Sequence, residues 1–189
     1  MKRIYRIVRW AVALFFLSSV LVTLLYRWVN VPLTPLMAIR CMQQAGRGEQ
    51  VRLHYKWVPL SEMSCYLPVA VIASEDQNFL VHHGFDGNAL VQRMEGGRRV
   101  GGSTISQQTA KNVFLWPTSS WVRKGFEVYF TFLIETLWSK ERIMEVYLNV
   151  IEMGDGVYGA ESVAQLHFGC SARDLKRREC ALIAATLPN

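Results

Sequence analysis

The hydrophobic and polar positions fall into blocks that predict an apolar leader followed by a series of helices. From Trp10 to Tyr26 the chain reads WAVALFFLSSVLVTLLY, 17 residues without a charge. As a helix this run spans about 26 Å, the short end of what crosses a hydrocarbon core of about 30 Å. Pro32 and Pro35 are expected to stop it. Residues 29–60 then read as a connector kept apolar by Val31, Leu33, Leu36, Met37 and Ile39. Such a stretch suits either the bilayer surface or a strut packed on the body. Beyond it, Pro68 followed by VAVIASEDQNFL predicts a helix with proline in its first turn. Asp86 can cap GNALVQRM, Ser103 can cap TISQQTAKNVFL, Ser120 opens WVRKGFEVYFTFLIETLW and Ser139 opens KERIMEVYLNVI. Glu179–Leu187 is a last apolar helix halted by Pro188. Alternation of strand type is scarce, and VRLHYKWVPL (51–60) carries most of it. The body is therefore expected to be all-α.

Composition sharpens this picture. The chain has 189 residues, 51% hydrophobic and 19% charged, against a usual charged share of about 25%. That excludes intrinsic disorder and fits one domain with accessories. The net charge is +6, but Lys2, Arg3, Arg6 and Arg9 fall in the first nine residues, leaving 17 basic against 15 acidic residues elsewhere. A basic excess confined to a leader argues against a nucleic-acid-binding face. It instead orients the apolar run with its amino terminus in the cytoplasm and the body outside. A cleaved signal peptide would look similar, but no small-x-small cleavage site follows Tyr26, so an uncleaved anchor is expected. The reading divides the chain into a leader (1–9), an anchor (10–28), the connector (29–60) and a catalytic body (61–189), whose carboxyl end is open to truncation. Cys41, Cys65, Cys170 and Cys180 all lie outside the membrane. They lack zinc spacing, and either disulfides or buried thiols fit them.

The candidate chemistry lies on a few helical faces. On a helix, Glu75 has Val71, Ile72 and Phe79 at i−4, i−3 and i+4, an otherwise apolar face. Burial raises a carboxyl pKa toward the range of a general acid or base. A structural ion pair with an arginine is the competing reading. His82, His83, Gly84 and Asp86 follow, with a spacing that does not suggest a metal site. Thr104, Gln108 and Lys111 share one helix face, with donors and a charge that suit a sugar phosphate, or simply a solvated surface. Just before them, Arg93, Arg98 and Arg99 with Gly96 and Gly97 read as a flexible basic loop. In Arg123-Lys124-x-x-Glu127 the acid meets both cations. Opposite charge favours its ionised form, so Glu75 is expected as the carboxyl of higher pKa. A surface i,i+4 pair worth about 0.3–0.5 kcal/mol would show the same spacing.

In order along the chain, EDQNFLVHHGFD (75–86), GGSTISQQTAKN (101–112), RKGFE (123–127), RIMEVYLNVIEMGDGVYGAES (142–162) and ECALIAATLPN (179–189) resemble the glycosyltransferase domain of peptidoglycan polymerases, in their monofunctional form. The departures are Cys170 where lysine is common, Cys180 where alanine is, and Met144 where leucine is. No Ser-x-x-Lys of a transpeptidase occurs.

The resemblance implies an all-α, lysozyme-like fold of two lobes with one N-terminal transmembrane helix. It implies an enzyme of the inner membrane, body in the periplasm, that polymerises lipid II into β-1,4-linked glycan by inversion and releases undecaprenyl diphosphate. By match to the motifs, Glu75 is the general base and Glu127, with Arg123 and Lys124, lies near the leaving diphosphate. Ser103, Thr104, Gln108 and Lys111 are expected on the substrate, and Asp76, Phe79, His82 and Asn149 in support. No cofactor is required, although a divalent cation (Mg or Mn) can assist the diphosphate. The expected partners are lipid II, the growing strand, the membrane and proteins of cell-wall synthesis or division, with no nucleic acid. A lysozyme-like peptidoglycan hydrolase and a non-catalytic wall-binding protein are the alternatives.

Overall fold

The structure is a computed structural model that describes residues 2–87 and 103–187. The expected basic loop at Arg93–Arg99, the glycines at 101 and 102, the helix expected beyond Gly87 and the stop at Pro188 lie outside those residues.

The apolar run forms α1 (Lys2–Leu25), which continues without a break through the basic leader. Its 24 residues rise about 36 Å. From Ile4 to Leu17 its large apolar side chains stand exposed, whereas Ser19 and Thr23 are buried. Its second half rests on the body, where the Phe15 and Phe16 rings meet Phe126 and Tyr129. Pro35 does not stop a helix but starts one. With Thr34 as cap it opens α2 (Pro35–Gly46), the N1 position where a missing N–H costs nothing. Val31, Met37 and Val58 are buried in the same core as the body, so the connector is a packed strut.

Residues 51–60 supply one short strand, β1 (His54–Tyr55), and the first residue of a 3-10 turn (Leu60–Glu62). Next comes α3 (Tyr66–Glu75), shorter than expected: at Asp76 the backbone leaves the helix (φ −160°, ψ 79°), and 76–84 form turns. Glu75 is thus the last helical residue, and Phe79 does not lie one turn above it. Then follow α4 (Ile105–Phe114), α5 (Trp121–Leu137) and α6 (Lys140–Val150), the last two capped by Ser120 and Ser139 as their sequences predict. In α4 the cap is Thr104, not Ser103; its hydroxyl and the Gln107 side chain form a capping box.

A small sheet unforeseen in the sequence follows: β2 (Glu152–Gly154) and β3 (Val157–Tyr158), in the order β1-β3-β2. β1 pairs parallel with β3 and β2 antiparallel to it. Gly159 turns the chain out of this sheet at φ +80°, where a Cβ would sit 2.4 Å from the Asn149 carbonyl oxygen. A short α7 (Ala160–Val163) runs into a wide turn at 164–168, and α8 (Arg177–Ala185) packs on α3.

The core centres on α6, whose Ile143, Met144, Val146, Tyr147, Leu148 and Val150 are all buried, while its charged residues fall in the first turns and at Glu145. Packed beside it, α4 is nearly as buried but polar: Ser106, Gln107, Gln108, Thr109 and Asn112 lie inside. The solvated-face reading of α4 therefore fails, and its polar groups need internal partners.

Candidate active site

Those internal partners define the site. Gln108 Nε2 donates to Glu75 Oε2 at 2.9 Å, and Tyr147 Oη donates to Gln108 Oε1 at 3.3 Å. Burial pushes the Glu75 carboxyl above its ordinary value; the Gln108 bond opposes this and the Asp76 charge adds to it. Its described hydrogen-bond partner is the Gln108 amide.

The turn after Glu75 is tied down by Asp76. This buried carboxylate accepts from Ile105 N–H at 2.9 Å and from His82 Nε2 at 2.9 Å. His82 Nδ1 in turn accepts from Gly84 N–H at 3.1 Å, which leaves the ring proton on Nε2, facing Asp76. Gly84 holds φ +89°, and a Cβ there would lie 2.9 Å from Thr131 Cγ2. Only glycine lets the turn approach α5 so closely. Phe79 is buried below, with the Lys140 ammonium 4.7 Å from its ring centre.

On α5, Arg123 Nη1 donates to Glu127 Oε2 at 2.8 Å and Lys124 Nζ pairs with Glu127 Oε1. Glu127 is only 2% exposed, so this is not the surface ion pair that the spacing alone would allow. Arg123 Nε is buried and has no hydrogen-bond acceptor among the described residues. Lys111 lies within the field of all three: burial lowers its pKa, Glu127 raises it, and Arg123 and Lys124 lower it further.

Gln108 and Lys111 are one turn apart on α4. The helix thus meets the Glu75 carboxyl at one turn and the Glu127 cluster at the next, and Gln108 and Lys111 line one groove between α2, α4 and β2. Of the remaining residues singled out by sequence, Ser103 lies half-buried ahead of the cap. Thr104 Oγ1 donates to the Gly84 carbonyl at 2.7 Å and accepts from Gln107 N–H, so its hydroxyl joins the turn to α4. Asn149 is fully buried and bonded to both backbone groups of Val58 and to the Glu145 carbonyl. Sequence reasoning passed over Tyr147, which orients Gln108, and Arg40 and Glu152, which line the groove. Tyr147 lies within the stretch RIMEVYLNVIEMGDGVYGAES, but no local pattern marks it as a partner of Gln108.

All four cysteines are free thiols. Among the described residues no three His, Cys, Asp or Glu side chains gather into a metal-binding group.

Comparison with known proteins places this architecture. The family model described as Transglycosylase matches residues 42–189. A protein of Bacteroides thetaiotaomicron named biosynthetic peptidoglycan transglycosylase is 55% identical over 192 residues, covering 100% of this chain and 77% of its own length. A protein of the same name from Bdellovibrio bacteriovorus is 55% identical over 183 residues, covering 95% of this chain and 73% of itself. One from Pseudomonas fluorescens is 48% identical over 192 residues, 100% of this chain and 78% of that protein. With its helix-dominated, lysozyme-like body behind an apolar N-terminal helix, the chain belongs to the transglycosylase family.

Proposed function

We propose that this chain is a peptidoglycan glycosyltransferase that polymerises lipid II into β-1,4-linked glycan strands. The observation that carries the reading is the placement of two unlike acidic centres against successive turns of α4: Glu75 of α3, raised by burial and held by the Gln108 amide, and Glu127 of α5, held by two cations and within the field of Lys111.

In this reaction Glu75 accepts the proton of the acceptor's sugar 4-hydroxyl as that oxygen attacks the anomeric carbon of the donor. The bond from that carbon to the diphosphate breaks on the opposite side, and its electron pair leaves with the diphosphate. Attack opposite the leaving group inverts an α-linked donor to a β-1,4 product. Negative charge then grows on the diphosphate oxygens. Lys111, Arg123 and Lys124 stabilise it there, with the unpartnered Arg123 Nε as a ready donor. Glu127 keeps these cations gathered while the site is empty of substrate. A divalent cation assisting the diphosphate would draw its oxygen ligands from the substrate, since the described residues gather no donor set for it.

The lipid-borne substrate accounts for α1. This is the one helix among the described residues long and apolar enough to cross a membrane. We place its basic end in the cytoplasm and the body on the outer face of the inner membrane. The body is fixed to the helix by hydrogen bonds. Trp138 Nε1 donates to the Thr23 carbonyl at 2.7 Å, and the Arg142 guanidinium donates to the Tyr26 and Val29 carbonyls at 2.7–3.0 Å. The groove is thereby held at one orientation to the bilayer.

The test is polymerisation of lipid II by the purified full chain in detergent or vesicles. Polymer from the wild type, reduced about 10²–10⁴-fold in Glu75→Gln, supports the assignment. Cleavage of preformed glycan strands would favour a hydrolase instead, and binding without turnover a scaffold.

A further inference from the structure

The groove has a wall that the reaction described above does not use. Opposite Gln108 and Lys111 stand Arg40 of α2 and Glu152 of β2, with Leu36 and Trp116 supplying apolar surface. Arg40 is loosely held. Its Nη2 lies 3.4 Å from Glu152 Oε2, its Nη1 3.3 Å from Gln43 Oε1, and its Nε 3.4 Å from Glu152 Oε1. That last contact fails hydrogen-bond geometry, which leaves Nε buried and without an acceptor among the described residues. Arginine–carboxylate bonds normally close to about 2.7–2.9 Å, as the Arg123–Glu127 pair does at 2.8 Å. Glu152 is no better satisfied by its own sheet, where the Tyr158 hydroxyl donates to the same Oε1 at 3.3 Å. A guanidinium fork aimed along a groove wall, kept in place by a stretched partner and short of an acceptor, is prepared for a second anion.

We infer that Arg40 forms with Lys111 an anion-receiving subsite for the substrate, taking a phosphate or carboxylate oxygen pair of the lipid-linked sugar, with Glu152 as its stand-in when the groove is empty. The position is one that family membership does not assign, because the match begins at Met42, after Arg40. Two cations face one carboxylate across the groove, so an added anion is not repelled overall. The flat indole of Trp116 offers the accompanying sugar a face. The connector helix thus contributes to binding as well as to packing. This inference rests on the function proposed above.

The experiment measures KM and kcat for lipid II with full-length wild type, Arg40→Ala, Arg40→Lys and Glu152→Gln. Loss of a charge-assisted bidentate contact predicts a KM raised roughly tenfold or more in Arg40→Ala with kcat within about twofold. Lysine recovers only part, since a point charge does not replace the fork. Glu152→Gln frees Arg40 and leaves KM equal or lower. If Arg40 and Glu152 were only a structural pair, both variants would lower the melting temperature and leave KM alone, or shift it in the same direction; either result overturns the inference. Competition by undecaprenyl diphosphate identifies the anion. Weaker inhibition of Arg40→Ala than of wild type assigns a phosphate. Equal inhibition, together with a wild-type-to-variant KM difference that vanishes on lipid II with amidated stem carboxylates, assigns a carboxylate. Neither pattern removes the subsite. Should the wild type fail to polymerise, the proposed activity falls, yet direct binding of undecaprenyl diphosphate to the same variants still reads Arg40.

Discussion

Gln108 approaches Glu75 with its amide nitrogen and not its oxygen, and Tyr147 is the reason. The Tyr147 hydroxyl donates to the amide oxygen at 3.3 Å, which turns Nε2 toward the Glu75 carboxylate at 2.9 Å. A buried tyrosine on α6, a buried glutamine on α4 and the terminal carboxylate of α3 thus form one relay of hydrogen bonds. Burial raises the proton affinity of Glu75, and the relay restrains the rise while fixing one oxygen. The carboxylate fixed in this way is the group suited to take a proton from a sugar hydroxyl.

The pH dependence of polymerisation follows from that balance. A general base works when deprotonated, and the Glu75 carboxyl holds its proton to higher pH than an ordinary glutamate. The rate should therefore fall on acidification with an apparent midpoint above the glutamate reference of about 4.3. Initial rates between pH 4 and 8 measure it; a midpoint at or below the reference would remove Glu75 from the role.

Replacing Gln108 with leucine deletes the donor that holds the Glu75 pKa down. The acid limb of the rate profile should then move to higher pH, with activity at neutral pH reduced. Because the Tyr147 hydroxyl also loses its acceptor inside the core, this variant should melt earlier as well, at a cost of about 1–3 kcal/mol. A limb that stays in place while stability falls would show that the bond only packs the helix.

Stability gives an independent check on Glu75. Its folded pKa lies above its unfolded one, so the folded state binds the proton more tightly. Its contribution to stability is intact below the unfolded pKa and declines as pH rises toward the folded value. At neutral pH the fold therefore carries the ionised group at a disadvantage. Glu75→Gln should melt a few degrees higher than wild type at pH 7 and about equally at pH 4, by calorimetry. Activity lost together with stability at pH 7 would point to damage instead of lost chemistry.

The two cations of Glu127 should not be equivalent. Arg123 has a side chain 11% exposed, whereas that of Lys124 is 41% exposed. Removing a buried partner leaves an uncompensated charge and costs about 3–5 kcal/mol, while a solvated one is worth about 0–1 kcal/mol. Arg123→Met should therefore lower the melting temperature clearly and Lys124→Met barely, though both should slow diphosphate departure. Thermal scans alongside single-turnover rates separate the two effects.

The helices and their caps were legible because the signals are local. Ser120 and Ser139 each sit directly before a periodic apolar run, and both cap as written. The acid-and-cation pattern of Arg123, Lys124 and Glu127 was legible for the same reason, since residues three and four apart meet on a helix. Its burial was not, because that depends on α4 packing beside α5. Nor did the sequence show that the polar run Ser106-Gln107-Gln108-Thr109 would lie inside, where tertiary partners outweigh its look of a wet surface. The early end of α3 at Glu75 depends on Asp76 reaching Ile105 and His82, one contact distant in sequence and one close by. The sheet at 152–158 needs His54 and Tyr55 from a hundred residues upstream. Arg40 escaped notice because nothing in its neighbourhood in sequence places it opposite Lys111.

Asn149 is the residue on which fold and site assignments part. Its carboxamide accepts from Val58 N–H at 3.0 Å and donates to the Val58 carbonyl at 2.9 Å and the Glu145 carbonyl at 2.8 Å. That commits both amide hydrogens and one lone pair of the amide oxygen to pinning the connector to α6. Asn149→Leu strips both backbone groups of Val58 of their partners in a buried place, at about 1–3 kcal/mol for each. For a chain of this length about 2–4 °C of melting temperature accompanies each kcal/mol. The variant should thus melt markedly earlier, while the fraction that remains folded at low temperature keeps the wild-type KM and the same acid midpoint. Measured well below the transition, a raised KM with an unchanged melting temperature would instead put Asn149 on the substrate, and its role as the clamp between connector and α6 would have to be given up.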